Sequence, residues 1–218
     1  MGVSPSLAEM RRHYQQDGLH KRDCAACPTE QLKRWLHEAQ ECSPGDWFEV
    51  NAMSLATSTP DGDVTSRVVL LKGLDTDGLR FFTNYSSEKG RQLAENPRAA
   101  LNFFWPHLER QVRVAGSVTK VAREVSLEYF RSRPRGSQLG AVASAQSQVV
   151  ASREVLEARL HELEAECSAQ DVPLPDDWGG YCLAPAVFEF WQGRPDRLHD
   201  RLRYTLADDV WRLERVSP

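Results

Sequence analysis

The sequence predicts an α+β fold that is mainly antiparallel β-structure, a barrel or a sandwich, with helices around it. Short strand-like segments follow one another from residue 50, Gly/Asp turns separate them, and helix-like segments flank them. Pro60-Asp61-Gly62 and Asp75-Thr76-Asp77-Gly78 are the clearest turns. The predicted strands cover residues 52–59, 64–72, 79–84, 99–105, 110–121, 181–191, 197–205 and 210–215.

Helices are predicted before, between and after these strands. Residues 28–42 carry Leu32, Trp35 and Ala39 at helical spacing, and Pro28 stands near the start, where proline suits a helix. Further helices are predicted at 87–95, 123–132, 137–144 and 152–167. The chain is therefore divided into a helical N-terminal segment, 1–45, and a main domain, 46–218.

Composition excludes several classes of protein. The 218 residues are 41% hydrophobic and 27% charged, as in ordinary globular proteins. A formal charge of −4 argues against a general nucleic-acid binder, and no apolar run is long enough to span a membrane. We expect no signal peptide, and the five cysteines are expected to be reduced thiols in the cytoplasm. No second Cys/His pair accompanies Cys24 and Cys27, so no metal site is predicted.

Two segments have the composition of anion sites. In Arg197-Leu198-His199-Asp200-Arg201, a strand would place the two arginines and the histidine on one face, toward an anionic ligand or toward solvent. Tyr129 and Arg133 are neighbours on a predicted helix, and Ser137 is expected to cap the next helix, which together suit a phosphate. The alternative for this second segment is a basic surface turn.

Two further segments carry cations near a strand end or a helix start. Arg67 and Lys72 are five residues apart, so a regular strand sends them to opposite faces, where they serve two anions or flank a buried strand. Ser87-Glu88-Lys89 opens a predicted helix and suits either a phosphate or a plain helix cap.

Taken together, these segments resemble the pyridoxamine/pyridoxine 5'-phosphate oxidase family of FMN enzymes. The resemblance runs from about residue 11 to the end of the chain. It is carried by Arg-Val-Val-Leu-Leu-Lys at 67–72, Phe-Phe-Thr-Asn at 81–84, Leu-Glu-Arg-Gln-Val at 108–112, Tyr-Phe-Arg-Ser-Arg-Pro-Arg at 129–135, Gln146-Ser147, Val-Pro-Leu-Pro at 172–175, Trp-Gly-Gly-Tyr at 178–181, Phe-Trp-Gln-Gly at 190–193 and Arg-Leu-His-Asp-Arg at 197–201.

The resemblance implies a Greek-key-like FMN-binding split barrel and a homodimer with two FMN at the interface. It implies oxidation of pyridoxamine and pyridoxine 5'-phosphate to pyridoxal 5'-phosphate, by hydride transfer to flavin N5 and with O2 as acceptor. The implied cofactor residues are Arg67, Val68, Val69, Leu70, Leu71, Lys72, Phe82, Thr83, Lys89, Gln111, Gln146, Ser147, Trp191 and Arg201, some of them from the partner chain. The implied substrate residues are Lys72, Tyr129, Arg133, Ser137, Arg197, His199, Arg11 and Tyr14.

Within that set the resemblance assigns particular roles. Arg197 and His199 are the implied catalytic pair and face the pyridine ring, while Arg11 and Tyr14 belong to a mobile N-terminal segment that covers the substrate. Two rival functions remain at this point: another FMN oxidoreductase, such as a split-barrel flavin reductase, and a non-catalytic binder of FMN or pyridoxal phosphate.

One position departs from the family pattern. The family commonly has Ser-Arg-Lys where this chain has Ser87-Glu88-Lys89, so a carboxylate replaces a cation beside a dianionic phosphate. We therefore expect that Glu88 either points away from the phosphate or weakens FMN binding.

Overall fold

Nine strands and five α-helices occur in the part of the chain that the computed structural model describes, residues 6–8, 13–168 and 170–218. The strands are β1 Ala52–Ser58, β2 Val64–Leu70, β3 Gly73–Asp75, β4 Gly78–Asn84, β5 Arg98–Trp105, β6 Arg110–Lys120, β7 Trp178–Gln192, β8 Asp200–Ala207 and β9 Val210–Val216. The helices are α1 Pro28–Glu41, α2 Glu88–Glu95, α3 Arg123–Ser132, α4 Arg135–Ala143 and α5 Arg153–Glu166. The predicted α+β class, mainly antiparallel, is confirmed.

The chain forms two units, and the larger comprises residues 51–102 and 114–186. Its strands follow the order β2-β1-β5-β6-β7-β4-β3. Strand β1 alternates between half-buried and buried positions, with Met53 and Leu55 in the core. Strand β4 pairs antiparallel with β7, and Phe82 lies opposite Gly180. A Cβ at Gly180 would lie 2.7 Å from the Phe82 ring, so this glycine leaves room for that ring.

Helices α3, α4 and α5 of the larger unit share a small apolar core. Its buried members are Phe130, Leu139, Leu163, Cys167, Val172 and Trp178. Helix α5 begins after Ser152, as predicted. Helix α4 begins at Arg135 with Pro134 as its N-cap, so the prediction that Ser137 caps this helix is wrong. The extended backbone of Pro134, at φ −52° and ψ 140°, lets the helix start directly behind it.

The smaller unit comprises residues 1–50, 103–113 and 187–218, as far as they are described. Helix α1 buries Leu32, Trp35 and Ala39, the apolar positions that predicted it. The Trp35 ring meets Phe190 of β7 edge-on, with 5.1 Å between ring centroids. Strand β8 pairs with the end of β7 and with β9, which completes this part of the sheet.

One predicted strand begins later than expected. Residues 197–205 were expected to be one strand, but β8 starts only at Asp200, and Pro195–Arg197 form a 3-10 turn. Asp196 and Arg197 have φ of 55° and 61°, a left-handed backbone that cannot continue a strand. The expectation that Arg197, His199 and Arg201 alternate on one strand face is therefore wrong.

A short strand lies between β2 and β4. The three-residue strand β3 was not predicted, because it is too short to show alternation. No helix among the described residues is long and apolar enough to cross a membrane. The division at residues 45/46 and the lid role of the first segment stay predictions.

Candidate functional site

A cavity of about 550 Å³ lies in the larger unit. This volume is in the range of small-molecule and cofactor pockets. The cavity is lined by Ser66, Arg67, Val68, Val69, Leu70, Lys72, Phe82, Thr83, Glu88, Lys89, Tyr129, Arg133, Gln146, Ser147 and Trp178. Most of the residues expected to hold the cofactor, and three of those expected to hold the substrate phosphate, therefore meet in one place.

The charged residues of this lining are strongly unbalanced. Arg67, Lys72, Lys89 and Arg133 are cationic, and Glu88 is the one carboxylate among the lining residues. Like charges gathered around a concave surface repel one another and raise the local concentration of anions. The cavity is therefore suited to a ligand with more than one negative charge, or to two anionic ligands.

Arg67 is held on strand β2 by the strand beside it. Its Nη1 donates to the carbonyl oxygen of Leu55 at 3.2 Å and to Oγ1 of Thr57 at 2.6 Å. Its Nη2 donates to Oγ1 of Thr65 and lies 3.4 Å from Oε2 of Glu88. These contacts fix the guanidinium, whose side chain is 19% exposed, at the cavity wall.

Lys89 lies in the first turn of α2 and is surrounded by oxygen acceptors. Its Nζ donates to Oε1 of Gln146 at 2.9 Å, to Oγ1 of Thr83 at 3.2 Å and to Oγ of Ser87 at 3.3 Å. Gln146 belongs to the segment after α4, and Ser147, which follows it, has a left-handed φ of 68°. Side chains from a strand, a helix and a loop thus converge on one ammonium group.

The surroundings of Lys89 lower the pKa of its ammonium group. Burial, followed by the nearby charge of Arg67, lowers the pKa of Lys89 to about 8, and Glu88 acts in the opposite direction. An ammonium group in this position gains from an anion beside it, because an anion offsets both the burial and the repulsion from Arg67.

Three aromatic rings form a stack on another wall of the cavity. The Phe82 and Tyr129 rings are stacked with 4.0 Å between centroids, and Trp178 is nearly parallel to both at 5.8 and 6.2 Å. The Arg133 guanidinium lies 4.8 Å from the centroid of the Trp178 ring, at cation–π distance. The stack therefore gives Arg133 a fixed, flat support.

Arg133 has an unused hydrogen-bond donor. Its Nη1 is buried, and nothing in the described part of the chain accepts a hydrogen bond from it. Burial lowers the pKa of Arg133 and raises the pKa of Tyr129, while each group partly offsets the shift of the other. A buried cationic N–H without an acceptor is costly, so this atom is suited to an anionic oxygen from a ligand.

Ser137 lines a second cavity, of about 340 Å³. That cavity shares Arg133, Gln146 and Trp178 with the first. Ser137, in the first turn of α4, thus lies near Arg133 but outside the lining of the larger cavity.

Strand β2 differs from the expectation of a buried strand flanked by charges. Its residues are half-buried or exposed, and Val68 is 66% exposed. The strand ends at Leu70, so the strict alternation that would send Arg67 and Lys72 to opposite faces does not reach Lys72, and both line the same cavity. Leu71, expected at the cofactor, is buried and is not part of the lining.

The lining residues and the volume of the cavity fit FMN, the cofactor that the resemblance implies. FMN joins a flat ring system to a phosphate, and the cavity joins an apolar strand face and an aromatic stack to Arg67 and Lys89. An anionic oxygen beside Lys89 would offset the burial and the repulsion from Arg67 that lower the pKa of Lys89 to about 8.

The expected catalytic pair belongs to the smaller unit. Arg197 is exposed in the 3-10 turn, and His199 follows it immediately before β8. Nδ1 of His199 faces the backbone N–H of Arg194 at 3.1 Å, which donates to it and leaves the proton of the neutral ring on Nε2. Burial and then Arg197 lower the pKa of His199, so the neutral form is favoured.

Of the other predicted site residues of the smaller unit, Tyr14 contacts neighbouring rings and Arg201 contacts a carboxylate. Tyr14 meets the rings of Trp191 and His199 edge-on, with centroid distances of 5.6 and 5.3 Å. Arg201 donates to both carboxylate oxygens of Glu189, with three contacts of 3.0 to 3.1 Å. Gln111 lies near the start of β6. Arg11 lies outside the described residues.

Sequence reasoning assigned no role to Trp178. It lines both cavities, supports Arg133 and extends the stack of Phe82 and Tyr129. The Trp-Gly-Gly-Tyr motif at 178–181 is visible in the sequence. The sequence does not show that Trp178 packs against Arg133, because the two residues are far apart along the chain and meet only in the fold.

Comparison with solved structures defines the class of protein. The crystal structure of PhzG from Burkholderia lata with tetrahydrophenazine-1-carboxylic acid superposes with a TM-score of 0.86 at 32% identity, over 93% of this chain and 99% of that one. A pyridoxamine 5'-phosphate oxidase-related, FMN-binding protein from Nostoc punctiforme superposes with a TM-score of 0.67 at 18% identity, over 85% and 96% of the two chains. The fold is that of the split-barrel FMN-binding proteins, as expected.

Comparison with curated proteins defines the family. Pyridoxine/pyridoxamine 5'-phosphate oxidases of Rhodopirellula baltica and Pseudomonas paraeruginosa are each 50% identical to this chain, over 99% of its length and 98% and 100% of theirs. Residues 37–167 match the family model described as pyridoxamine 5'-phosphate oxidase. The chain belongs to the pyridoxine/pyridoxamine 5'-phosphate oxidase family, so the resemblance is confirmed. This membership supports FMN as the cofactor.

A second family model concerns assembly. Residues 178–218, which include β7, β8 and β9, match the pyridoxine 5'-phosphate oxidase C-terminal dimerisation region. This match supports a homodimer.

Proposed function

We propose that this chain oxidises pyridoxamine 5'-phosphate and pyridoxine 5'-phosphate to pyridoxal 5'-phosphate, with FMN as cofactor and O2 as electron acceptor. One observation carries the proposal: a single cavity gathers four cations against one carboxylate beside an aromatic stack, in a chain of this family. Two phosphates, one on the cofactor and one on the substrate, account for that excess of positive charge.

The cofactor end of the cavity is assigned to Arg67 and Lys89, which bind the FMN phosphate. Residues 67–70 and Lys72 are assigned to the edge of the ring system, and Phe82, Thr83, Gln146 and Ser147 complete this side. The chemistry supplied by bound FMN is acceptance of a hydride at N5, with reoxidation by O2 to hydrogen peroxide. The protein contributes orientation and charge.

The substrate phosphate is assigned to Lys72, Tyr129, Arg133 and Ser137. The unsatisfied Nη1 of Arg133 supports this assignment, because a phosphate oxygen is the acceptor that it lacks. The phosphate is remote from the carbon that is oxidised. Its binding energy therefore orients the reacting C–H group, which lowers the entropic barrier of the reaction.

Arg197 and His199 are proposed to hold the pyridine ring. His199 is a hydrogen-bond donor through Nε2, because Nδ1 is engaged by the Arg194 N–H. Arg197 supplies a positive charge beside it, in agreement with the lowered pKa of His199. Arg11 and Tyr14 are proposed to cover the bound substrate.

The homodimer is proposed to hold two FMN at its interface. Gln111, Trp191 and Arg201 do not line the cavity of the larger unit, and we propose that they complete the cofactor site in the dimer, some of them from the partner chain. The cytoplasmic location stays a prediction.

Anaerobic spectroscopy tests the proposal directly. The FMN-loaded protein is mixed with pyridoxine 5'-phosphate without O2, and the visible flavin absorbance is followed. We expect bleaching, then recovery on admission of air with formation of pyridoxal 5'-phosphate and peroxide. Pyridoxine, which lacks the phosphate, is the matched control and bleaches the flavin far more slowly. An unchanged flavin spectrum would leave the chain as a non-catalytic binder and refute the proposal.

A further inference from the structure

Within the smaller unit, the backbone of residues 14–16 is tied to the turn between β5 and β6 by hydrogen bonds to one carboxylate. The N–H groups of Gln15 and Gln16 both donate to Oε2 of Glu109, at 2.9 and 3.3 Å. The carbonyl oxygen of Gln16 accepts from Nη1 of Arg194 at 2.6 Å. The segment has no regular secondary structure, and these contacts hold its backbone in place.

Glu109 is itself rigidly placed. It is 4% exposed and has a left-handed φ of 54° in the turn between β5 and β6. Its carbonyl oxygen accepts from the N–H of Gly193 at 2.8 Å and from Nε2 of Gln192 at 3.2 Å. These contacts fix the backbone that carries the side chain, and the side chain is buried, so its carboxylate is a well-defined acceptor for two backbone N–H groups.

The consequence of this anchoring is the position of Tyr14. Its ring meets His199 and Trp191 edge-on, with interplanar angles of 88° and 84°. Gly193 leaves space for it, since a Cβ there would lie 2.5 Å from Cδ1 of Tyr14 and 3.1 Å from Cβ of Glu109. Glu109, Gly193 and Tyr14 thus form one close-fitting contact beside His199.

We propose that Glu109 is a positioning residue, whose carboxylate anchors residues 14–16 so that the Tyr14 ring stays against His199. Glu109 acts through Tyr14 and not on the reacting atoms. The inference rests on the proposed function only in that Tyr14 and His199 bind the substrate. It predicts that Glu109 contributes to substrate binding and not to FMN binding.

A double-mutant cycle measures this dependence. Glu109→Ala is expected to raise KM for pyridoxine 5'-phosphate about tenfold, the size expected for loss of hydrogen bonds to a charged acceptor, while FMN affinity is unchanged. Tyr14→Ala is expected to raise KM at least as much. If Glu109 acts through Tyr14, the double variant is no worse than Tyr14→Ala alone. Effects that multiply would overturn the proposal.

Amide hydrogen exchange provides a readout independent of catalysis. In Glu109→Ala the amides of Gln15 and Gln16 are expected to exchange at least about tenfold faster, because they lose their acceptor. Glu109→Gln keeps an acceptor oxygen and is expected to restore part of the protection. If exchange is unchanged in Glu109→Ala, the anchoring is refuted, even if the protein makes pyridoxal 5'-phosphate. If the wild type is inactive but exchange is faster in the variant, the proposed function is refuted and the anchoring is not.

Two further variants separate anchoring from general damage. Gly193→Ala keeps the Glu109 carboxyl group but crowds the Tyr14 ring most closely, so it is expected to reproduce the rise in KM. If Glu109→Ala does not fold, Glu109→Gln carries the cycle with Tyr14→Ala, because it keeps the size of the side chain and removes only the charge. Glu49→Ala removes an exposed carboxylate of the same unit and is expected to change neither KM nor exchange. A normal KM in Gly193→Ala with Tyr14 displaced would refute the role of Tyr14 in the proposal.

Discussion

Neutralising Glu88 tests the electrostatic account of the cofactor site. Glu88 opens α2, and its Oε2 lies 3.4 Å from Nη2 of Arg67, one of the two cations assigned to the FMN phosphate. It therefore does not point away: it is a counter-ion that the phosphate must compete with. Glu88→Gln removes that competition and the repulsion, with little change in shape.

The magnitude follows from distance and exposure. Two unit charges 3.4 Å apart interact by about 5 kcal/mol at an effective dielectric of 20 and by about 1 kcal/mol in water. The Glu88 side chain is 52% exposed, so the lower part of that range applies. A gain of about 1–2 kcal/mol corresponds to FMN binding about 5- to 30-fold tighter in Glu88→Gln.

The assay is quenching of flavin fluorescence as apoprotein is titrated with FMN and, separately, with riboflavin. Riboflavin lacks the phosphate, so its affinity is expected to be unchanged, and the gain for FMN is expected to shrink as salt is added. Glu95→Gln, in the last turn of the same helix, is the matched control. Equal FMN affinities in wild type and Glu88→Gln, or equal tightening for both flavins, would refute the reasoning.

Three other predictions concern the remaining cations. Because burial and Arg67 lower the pKa of Lys89 to about 8, FMN affinity is expected to fall by up to about tenfold per pH unit above pH 8, and Lys89→Arg is expected to flatten this dependence in the same titration. Arg133→Ala is expected to raise KM for pyridoxine 5'-phosphate about 100-fold with unchanged FMN affinity. Arg133→Lys is expected to recover little of this loss, because lysine lacks the planar group that lies over Trp178. A change confined to kcat would contradict this prediction. Arg197→Ala is expected to retain FMN but lose about 100-fold in turnover, and near-normal turnover would remove Arg197 from the mechanism.

The two cations assigned to the FMN phosphate are already held in place by hydrogen bonds within the protein. Lys89 is surrounded by the oxygens of Thr83, Ser87 and Gln146, and Arg67 by those of Leu55, Thr57 and Thr65. Neutral acceptors thus fix both cations in place. Preorganised cations lose little conformational entropy when an anion binds, which strengthens binding.

Local pattern was sufficient for most elements. Apolar residues at helical spacing defined α1, and Pro60-Asp61-Gly62 defined the turn between β1 and β2, because these signals depend on neighbouring residues alone. The motifs between residues 67 and 201 likewise defined the family, since their order and composition are properties of the chain. Where the local pattern was short or interrupted, the prediction failed: β3 was not predicted, and the strand expected from residue 197 begins only at Asp200.

Tertiary structure decided which of these residues meet. Only the end of β2 at Leu70 brings Lys72 into the same cavity as Arg67, and only the fold brings Trp178 under Arg133. Glu109 and Gln15 are 94 positions apart, so no spacing rule connects them. The amino-acid order by itself determined the elements, the family and the kind of ligand, because those follow from short-range preferences and residue chemistry. The partner of each charged group was settled by long-range packing, because through-space distance sets the strength of a charge or a hydrogen bond.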